Sequence, residues 1–198
     1  MSSLNRKIRT ARLMLIIAGL LLSNLDASAK PLIGVEIDPY TFVENGGSLH
    51  LKMRINAESP WEIGVGTYSM NFPDLFVNMN SANADKGWSV RLDRGLGVFL
   101  DYDFAGSRTD GPYAGVQVAT HGFSVEQNGV SSEFTNILIM PGIGTVWRPW
   151  HNGLYLRPWF GVGWTTKISG ENRVAGSIYD IMPLLPFGAL HIGYTFGR

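Results

Sequence analysis

The sequence predicts an all-β fold, an eight-stranded antiparallel up-and-down transmembrane β-barrel. Three observations carry the expectation: an export signal at the N-terminus, eight segments that alternate apolar and polar residues, and a composition poor in charge but rich in glycine and aromatic rings. Arg6, Lys7, Arg9 and Arg12 precede an apolar run from Leu13 to Leu22, and Ala27-Ser28-Ala29 supplies the small residues of a cleavage site. Residues 1–29 are therefore expected to be a removed secretory signal and residues 30–198 the barrel domain. The apolar run is too short to span a bilayer as a helix.

Composition narrows the class. Removing residues 1–29 takes away four of the 16 basic and one of the 16 acidic residues, leaving 12 against 15. That slight negative balance, with no basic run, offers nucleic acid nothing to bind. Cysteine is absent, so stability has to come from packing or from a closed hydrogen-bond ladder. Charged residues make up 16% of the chain, against roughly 25% in ordinary soluble domains. Glycines number 24 and aromatics reach 12%.

The alternating segments run over roughly 32–43, 48–56, 60–70, 87–104, 112–125, 133–148, 153–167 and 178–196. The second sets Leu49, Leu51, Met53 and Ile55 against His50, Lys52 and Arg54. In the fourth, Trp88, Val90, Leu92, Leu96, Val98, Leu100, Tyr102 and Phe104 share one parity. Ser89, Arg91, Asp93, Gly95, Gly97, Asp101 and Asp103 hold the other, with Phe99 the exception. The eighth sets Leu190, Ile192, Tyr194 and Phe196 against His191, Gly193 and Thr195. Connections alternate as well. Those at 44–47, 71–86, 126–132 and 168–177 fall on one rim and those at 57–59, 105–111 and 149–152 on the other. The second set is shorter overall, as periplasmic turns against surface loops would be, although the tight 44–47 connection breaks the trend. An even strand count returns both termini to the periplasmic rim.

Alternation alone serves a soluble lipocalin-like barrel, with its apolar face inside, equally well. Lipid outside is favoured by a polar face made of paired opposite charges and glycines, and by a lysine total of only 5. An aromatic girdle at the periplasmic rim points the same way: Trp61, Tyr102, Phe104, Trp147, Tyr194 and Phe196 suit a membrane interface.

The signal, the eight segments and the closing Leu190-x-Ile192-x-Tyr194-x-Phe196 resemble the small eight-stranded outer-membrane barrels, the group of the OmpA transmembrane domain, OmpX and OmpW. The likeness is architectural, covers the whole chain after the signal and includes no motif of one member. It implies a bacterial outer-membrane location, contact with outer-membrane lipids and lipopolysaccharide, and insertion by the barrel-assembly machinery, which reads the last strand. That group usually ends on an aromatic, whereas Gly197-Arg198 follow Phe196 here. A monomer is expected.

An eight-stranded barrel is just wide enough for side chains to fill its interior. Parity directs inward Glu36, Asp38, His50, Lys52, Arg54, Glu62, Arg91, Asp93, Asp101, Asp103, Arg148 and Arg157, joined by Tyr68, Gln117, His121 and His191. Tight turns would place Arg54 opposite Glu62 on one side and Glu36 or Asp38 on the other. Unpaired, such charges would be costly to bury, so the set reads as a polar plug. Inward glycines are expected to make room for Phe99, Arg157 and Trp159. The apolar 71–86 loop reads as a cap over the mouth or as an adhesive surface. Arg94 breaks the outward apolar pattern, which suggests either a phosphate contact or a bulge at Arg94-Gly95. Pro141 and Pro158, also outward, suggest further bulges.

No catalytic, cofactor or metal site is expected. His121 and Ser124 stand on opposite faces, and His50 and Ser48 share one without a carboxylate to orient them. Asp101-x-Asp103 lacks a third ligand, and Asp74, Asn78, Asn80, Asn83 and Asp85 lack calcium-loop spacing. The reading is a structural or surface-interaction role. Its alternatives are a narrow gated channel, a lipid A acyltransferase or deacylase, and a soluble lipocalin-like carrier.

Overall fold

The computed structural model describes residues 31–106, 110–150 and 152–197, and the signal expected over 1–29 lies outside them. In chain order the elements are β1 (Leu32–Ile37), α1 (Pro39–Val43), β2 (Gly47–Arg54), β3 (Trp61–Asn71), α2 (Asp74–Asn78), β4 (Ser89–Asp103), β5 (Gly111–Gln127), β6 (Val130–Val146), β7 (Leu154–Gly170), β8 (Arg173–Val174), β9 (Ser177–Ile178) and β10 (Leu184–Phe196). Strands β1 to β7 and β10 form a closed antiparallel barrel, sealed where β1 meets β10 from Ile33↔Phe196 to Ile37↔Ile192. Closure leaves no sheet edge and satisfies the backbone without water. The helices and the β8–β9 hairpin share one rim, here the cap rim, and the short connections define the opposite turn rim.

All eight expected strands are present, with bounds adjusted by local chemistry. The first stops at Ile37 because Asp38 caps a helix. Its carboxylate accepts from the Tyr40 N–H at 3.0 Å, and Pro39 opens the first turn. Strands β5 and β6 run past their expected ends to a two-residue turn at Asn128-Gly129, whose φ values of 55° and 77° suit a tight hairpin. Strand β10 starts at Leu184 rather than 178, because 173–178 pairs with itself. Strands β4 to β7 hold 15–17 residues, more than the roughly 9–11 that cross a bilayer. Opposite them β1 and β2 have 6 and 8, topped by α1.

One extra residue in β4 reorganises the wall: Tyr68 pairs with Gly95 but Met70 with Leu92, and Leu92 pairs with Phe123 but Arg94 with Gly122. An inserted residue reverses the face of everything beyond it. On the turn-rim side Leu96, Val98 and Leu100 face outward as expected. Beyond the shift Trp88, Val90 and Leu92 turn inward and are buried. Arg91 and Asp93, expected inside, instead face outward, 3.4 Å apart. Arg94, beside the shift, is exposed. Register runs unbroken past Pro141 and Pro158, so the bulges expected there do not form.

Outside, Leu51, Val65, Val98, Ile143, Phe160 and Leu190 are exposed. The apolar face is therefore the outer one, which overturns the lipocalin-like alternative.

Candidate functional site

The lumen has three levels. Nearest the turn rim is a belt of buried charge centred on Arg157 of β7. Its guanidinium reaches Glu36 of β1 at 3.1 Å, Asp101 of β4 at 2.9 Å and Glu62 of β3, tying four strands together, and it stacks 3.9 Å over the Tyr113 ring. Lys52 joins Asp101 at 2.8 Å and lies over Phe99. Arg54 pairs with Glu62 at 3.0 Å and with Asp103. Such spacing gives charge-assisted bonds between desolvated partners, where an unmet group would be costly.

The Glu36 carboxylate also accepts from the Tyr155 hydroxyl at 2.8 Å and meets His191 Nδ1 at 3.1 Å. Trp159 Nε1 donates to His191 Nε2 at 3.1 Å. Because Nε2 accepts, the proton belongs on Nδ1, which donates to Glu36. The imidazole is thereby fixed as its neutral Nδ1–H tautomer. A second relay lies higher. The Gln117 side chain donates to the Tyr68 hydroxyl at 2.6 Å, which in turn reaches His121 Nε2 at 2.6 Å.

Most of the residues expected inside are here; Arg91, Asp93, Asp38, Arg148 and the pairing of Arg54 are placed differently. Arg91 and Asp93 left the lumen with the register shift. Asp38 caps α1 and bonds with Ser48, taking no part in the belt. Arg148 lies at the turn rim, its backbone N–H on Asp110 and its side chain over the Tyr155 ring at 5.3 Å. Arg54 finds Glu62 as expected, but its β1 neighbour is Leu32, because α1 lengthens the first connection and shifts that pairing. Trp159 is inward as expected, whereas Tyr113 and Tyr155, inward by the same parity, are partners that the sequence did not single out.

Glycine clears the space. A Cβ at Gly115 would strike the Asp101 carboxylate, and one at Gly66 the His50 ring. Gly97 and Gly142 border Phe99 and Trp159 as expected.

The middle level is a cavity between this belt and an apolar cap. The cap, the third level, packs Met70, Val77, Trp88, Val90, Phe123 and Tyr179 into a buried cluster. The 71–86 loop folds over the mouth: Val77 is buried, while Leu75 and Met79 stay exposed. The Asn83 side chain clasps the Asp180 backbone in both directions, donating to its carbonyl at 2.8 Å and accepting from its N–H at 2.9 Å. Burial, with Asp180 adjacent, pushes the Tyr179 phenol up to about 12.

Outside the turn rim, Trp61, Phe104, Trp147, Tyr194 and Phe196 are exposed. Tyr102 contacts Trp61 and Phe104 at ring separations of 4.9 and 5.4 Å. Ser48 is not prepared as a nucleophile for His50: its hydroxyl accepts from the Asp38 N–H at 2.6 Å and donates to the Asp38 carbonyl.

Among solved structures, the chain is similar to a major outer membrane protein from Thermus thermophilus, with 13% identity and a TM-score of 0.54 over 84% of this chain and 100% of that one. It is also similar to the N-terminal β-barrel domain of Pseudomonas aeruginosa OprF, with 9% identity and a TM-score of 0.52 over 85% and 100%. No family model and no curated protein sequence matches it. The fold is that of the small bacterial outer-membrane β-barrels.

Proposed function

We propose that the chain is a monomeric outer-membrane barrel, inserted by the barrel-assembly machinery after loss of residues 1–29. In this reading it is closed to ions and acts as a scaffold for its cap. The observation that carries closure is Arg157, 2% exposed, bonded to carboxylates on three other strands and stacked on Tyr113. The apolar exterior supports a lipid setting, and the exposed rings at the turn rim support a girdle at its inner interface, with lipopolysaccharide at the outer one.

The test is electrical. The purified chain, shown folded by a mobility difference between boiled and unboiled samples on SDS gels, is added to planar bilayers. The expected result is no discrete conductance step. Reproducible steps from wild-type protein would overturn closure and restore the channel.

A further inference from the structure

The cavity above the charged belt measures about 80 Å³, and a second of about 40 Å³ adjoins it toward the cap, sharing Phe72, His121, Phe123, Leu138 and Leu185 as walls. At 10–15 Å³ for each water-sized position, the larger chamber takes a molecule of about five to eight non-hydrogen atoms. Its surface is mostly apolar, with the rings of Tyr68, Phe72, Phe99, Phe123, Trp159 and Phe187 among its walls.

One wall group is unmet. His50, 3% exposed, has no hydrogen-bond partner at either ring nitrogen among the described residues. Asn136 Oδ1, in the wall of the smaller chamber, is likewise unpaired there. A neutral imidazole holds one donor and one acceptor, and burying both unmet is costly unless something occupies the space beside them.

A metal ion is a poor occupant. Glu36, His50 and His191 do bring ligand-type atoms within 4.8 Å of one another. However, both His191 nitrogens and both Glu36 oxygens are committed, to Trp159, Tyr155, Arg157 and each other. An anion fits no better. No Lys or Arg lines the larger chamber, Asp38 does, and the belt beneath sets Glu36, Glu62, Asp101 and Asp103 against only Lys52, Arg54 and Arg157.

We propose that this chamber binds a compact neutral aromatic alcohol, phenol being the simplest, whose ring packs among the aromatic side chains and whose hydroxyl hydrogen-bonds a ring nitrogen of His50. The adjoining chamber, walled by Asn136, has room for water on the unmet Asn136 Oδ1. Ring-on-ring packing suits edge and face contacts, and Gly66, by lacking a side chain, gives the His50 ring its place. The Asn83–Asp180 clasp holds the cap over the mouth. Binding is independent of whether the lumen conducts.

The test uses 4-fluorophenol and fluorine NMR on the folded full chain in phosphatidylcholine nanodiscs, with 4-fluorotoluene as the probe lacking the hydroxyl. Empty nanodiscs give the background of partitioning into lipid. The expected result is a saturable bound resonance for 4-fluorophenol, with 4-fluorotoluene about tenfold weaker. His50→Phe, which keeps a ring and removes both nitrogens, should bring the two probes to equal affinity. Signals that scale linearly with probe and match empty nanodiscs would overturn the proposal. So would equal binding of the two probes to wild-type protein, a comparison that needs no variant to fold.

Discussion

Arg157 gives the sharpest test of how the lumen is held. Arg157→Ala removes one guanidinium and leaves Glu36, Glu62 and Asp101 facing each other in a space where Arg157 itself is 2% exposed. At about 3 Å and an effective dielectric near 20, each lost contact is roughly 5 kcal/mol of Coulomb attraction before desolvation is subtracted. Removing one member of a buried ionic cluster costs about 3–5 kcal/mol net, because the remaining charges stay buried without a partner. Lys52 and Arg54 already serve Asp101, Glu62 and Asp103, so neither is free to replace it. The assay is urea unfolding from lipid vesicles, read by the loss of the fast-migrating unboiled band. Arg91→Ala is the comparison, since Arg91 meets Asp93, Asn71 and the Asn45 carbonyl at the solvent-facing surface, where each such contact should contribute under about 1 kcal/mol. Adding Glu36→Gln to Arg157→Ala should restore part of the loss by removing one unpaired charge. If Arg157→Ala costs no more than Arg91→Ala, the lumen is hydrated and the closed-belt reasoning fails.

Three further outcomes follow from the same structure. Gly115→Ala drives a Cβ into the Asp101 carboxylate and toward the Leu100 carbonyl, and should lower the same unfolding midpoint by the about 1–3 kcal/mol typical of overpacking. Asn83→Ala breaks the two-way bond with Asp180, so amide exchange over 172–181 should quicken while the unboiled band is kept; unchanged exchange would show that the clasp does not hold the cap. Val98→Lys puts a charge on an outward position that is 58% exposed, which costs about 2–4 kcal/mol at a bilayer midplane. Folding yield into vesicles should fall accordingly, and no effect would mean that this face does not meet lipid.

What the sequence revealed follows from what alternation encodes. A period of two marks strands, and pairs such as Arg54 with Glu62 follow from a short turn between strands of known parity. Parity by itself carries no sign, however. The residue inserted near Asp93 reversed Trp88, Val90 and Leu92 against the face inferred from Leu96 onward, and the local cue was Arg94 standing in an apolar row. The Asp38-Pro39 helix start and the Asn128-Gly129 turn were both readable, yet alternation on their flanks masked them. Contacts such as Trp159 with His191, or Asn83 with Asp180, join distant segments, so no local pattern announces them.

The register shifts of β4 against β3 and against β5 are one event, a single residue inserted in β4, with Met70 pairing with Leu92 just beyond it. On the turn-rim side of that line the outward residues are Val65, Leu96 and Val98. On the cap side the outward residues are Arg91 and Asp93, while Met70, Val90 and Leu92 join the buried cap cluster. This is the inversion required where a wall passes from lipid into water: the favoured outer surface changes from apolar to polar, and one inserted residue exchanges the faces without altering the alternation. Strand β5 meets the same requirement through its sequence, its inner face running from Gln117 and His121 to Phe123 and Val125. The same line separates a lumen lined with charge from a cap core that is apolar. The cavity lies at that junction, where the polar wall ends at His50 and the aromatic wall begins, and this position is why it can offer a hydrogen bond to one end of a molecule and a ring-lined space to the other.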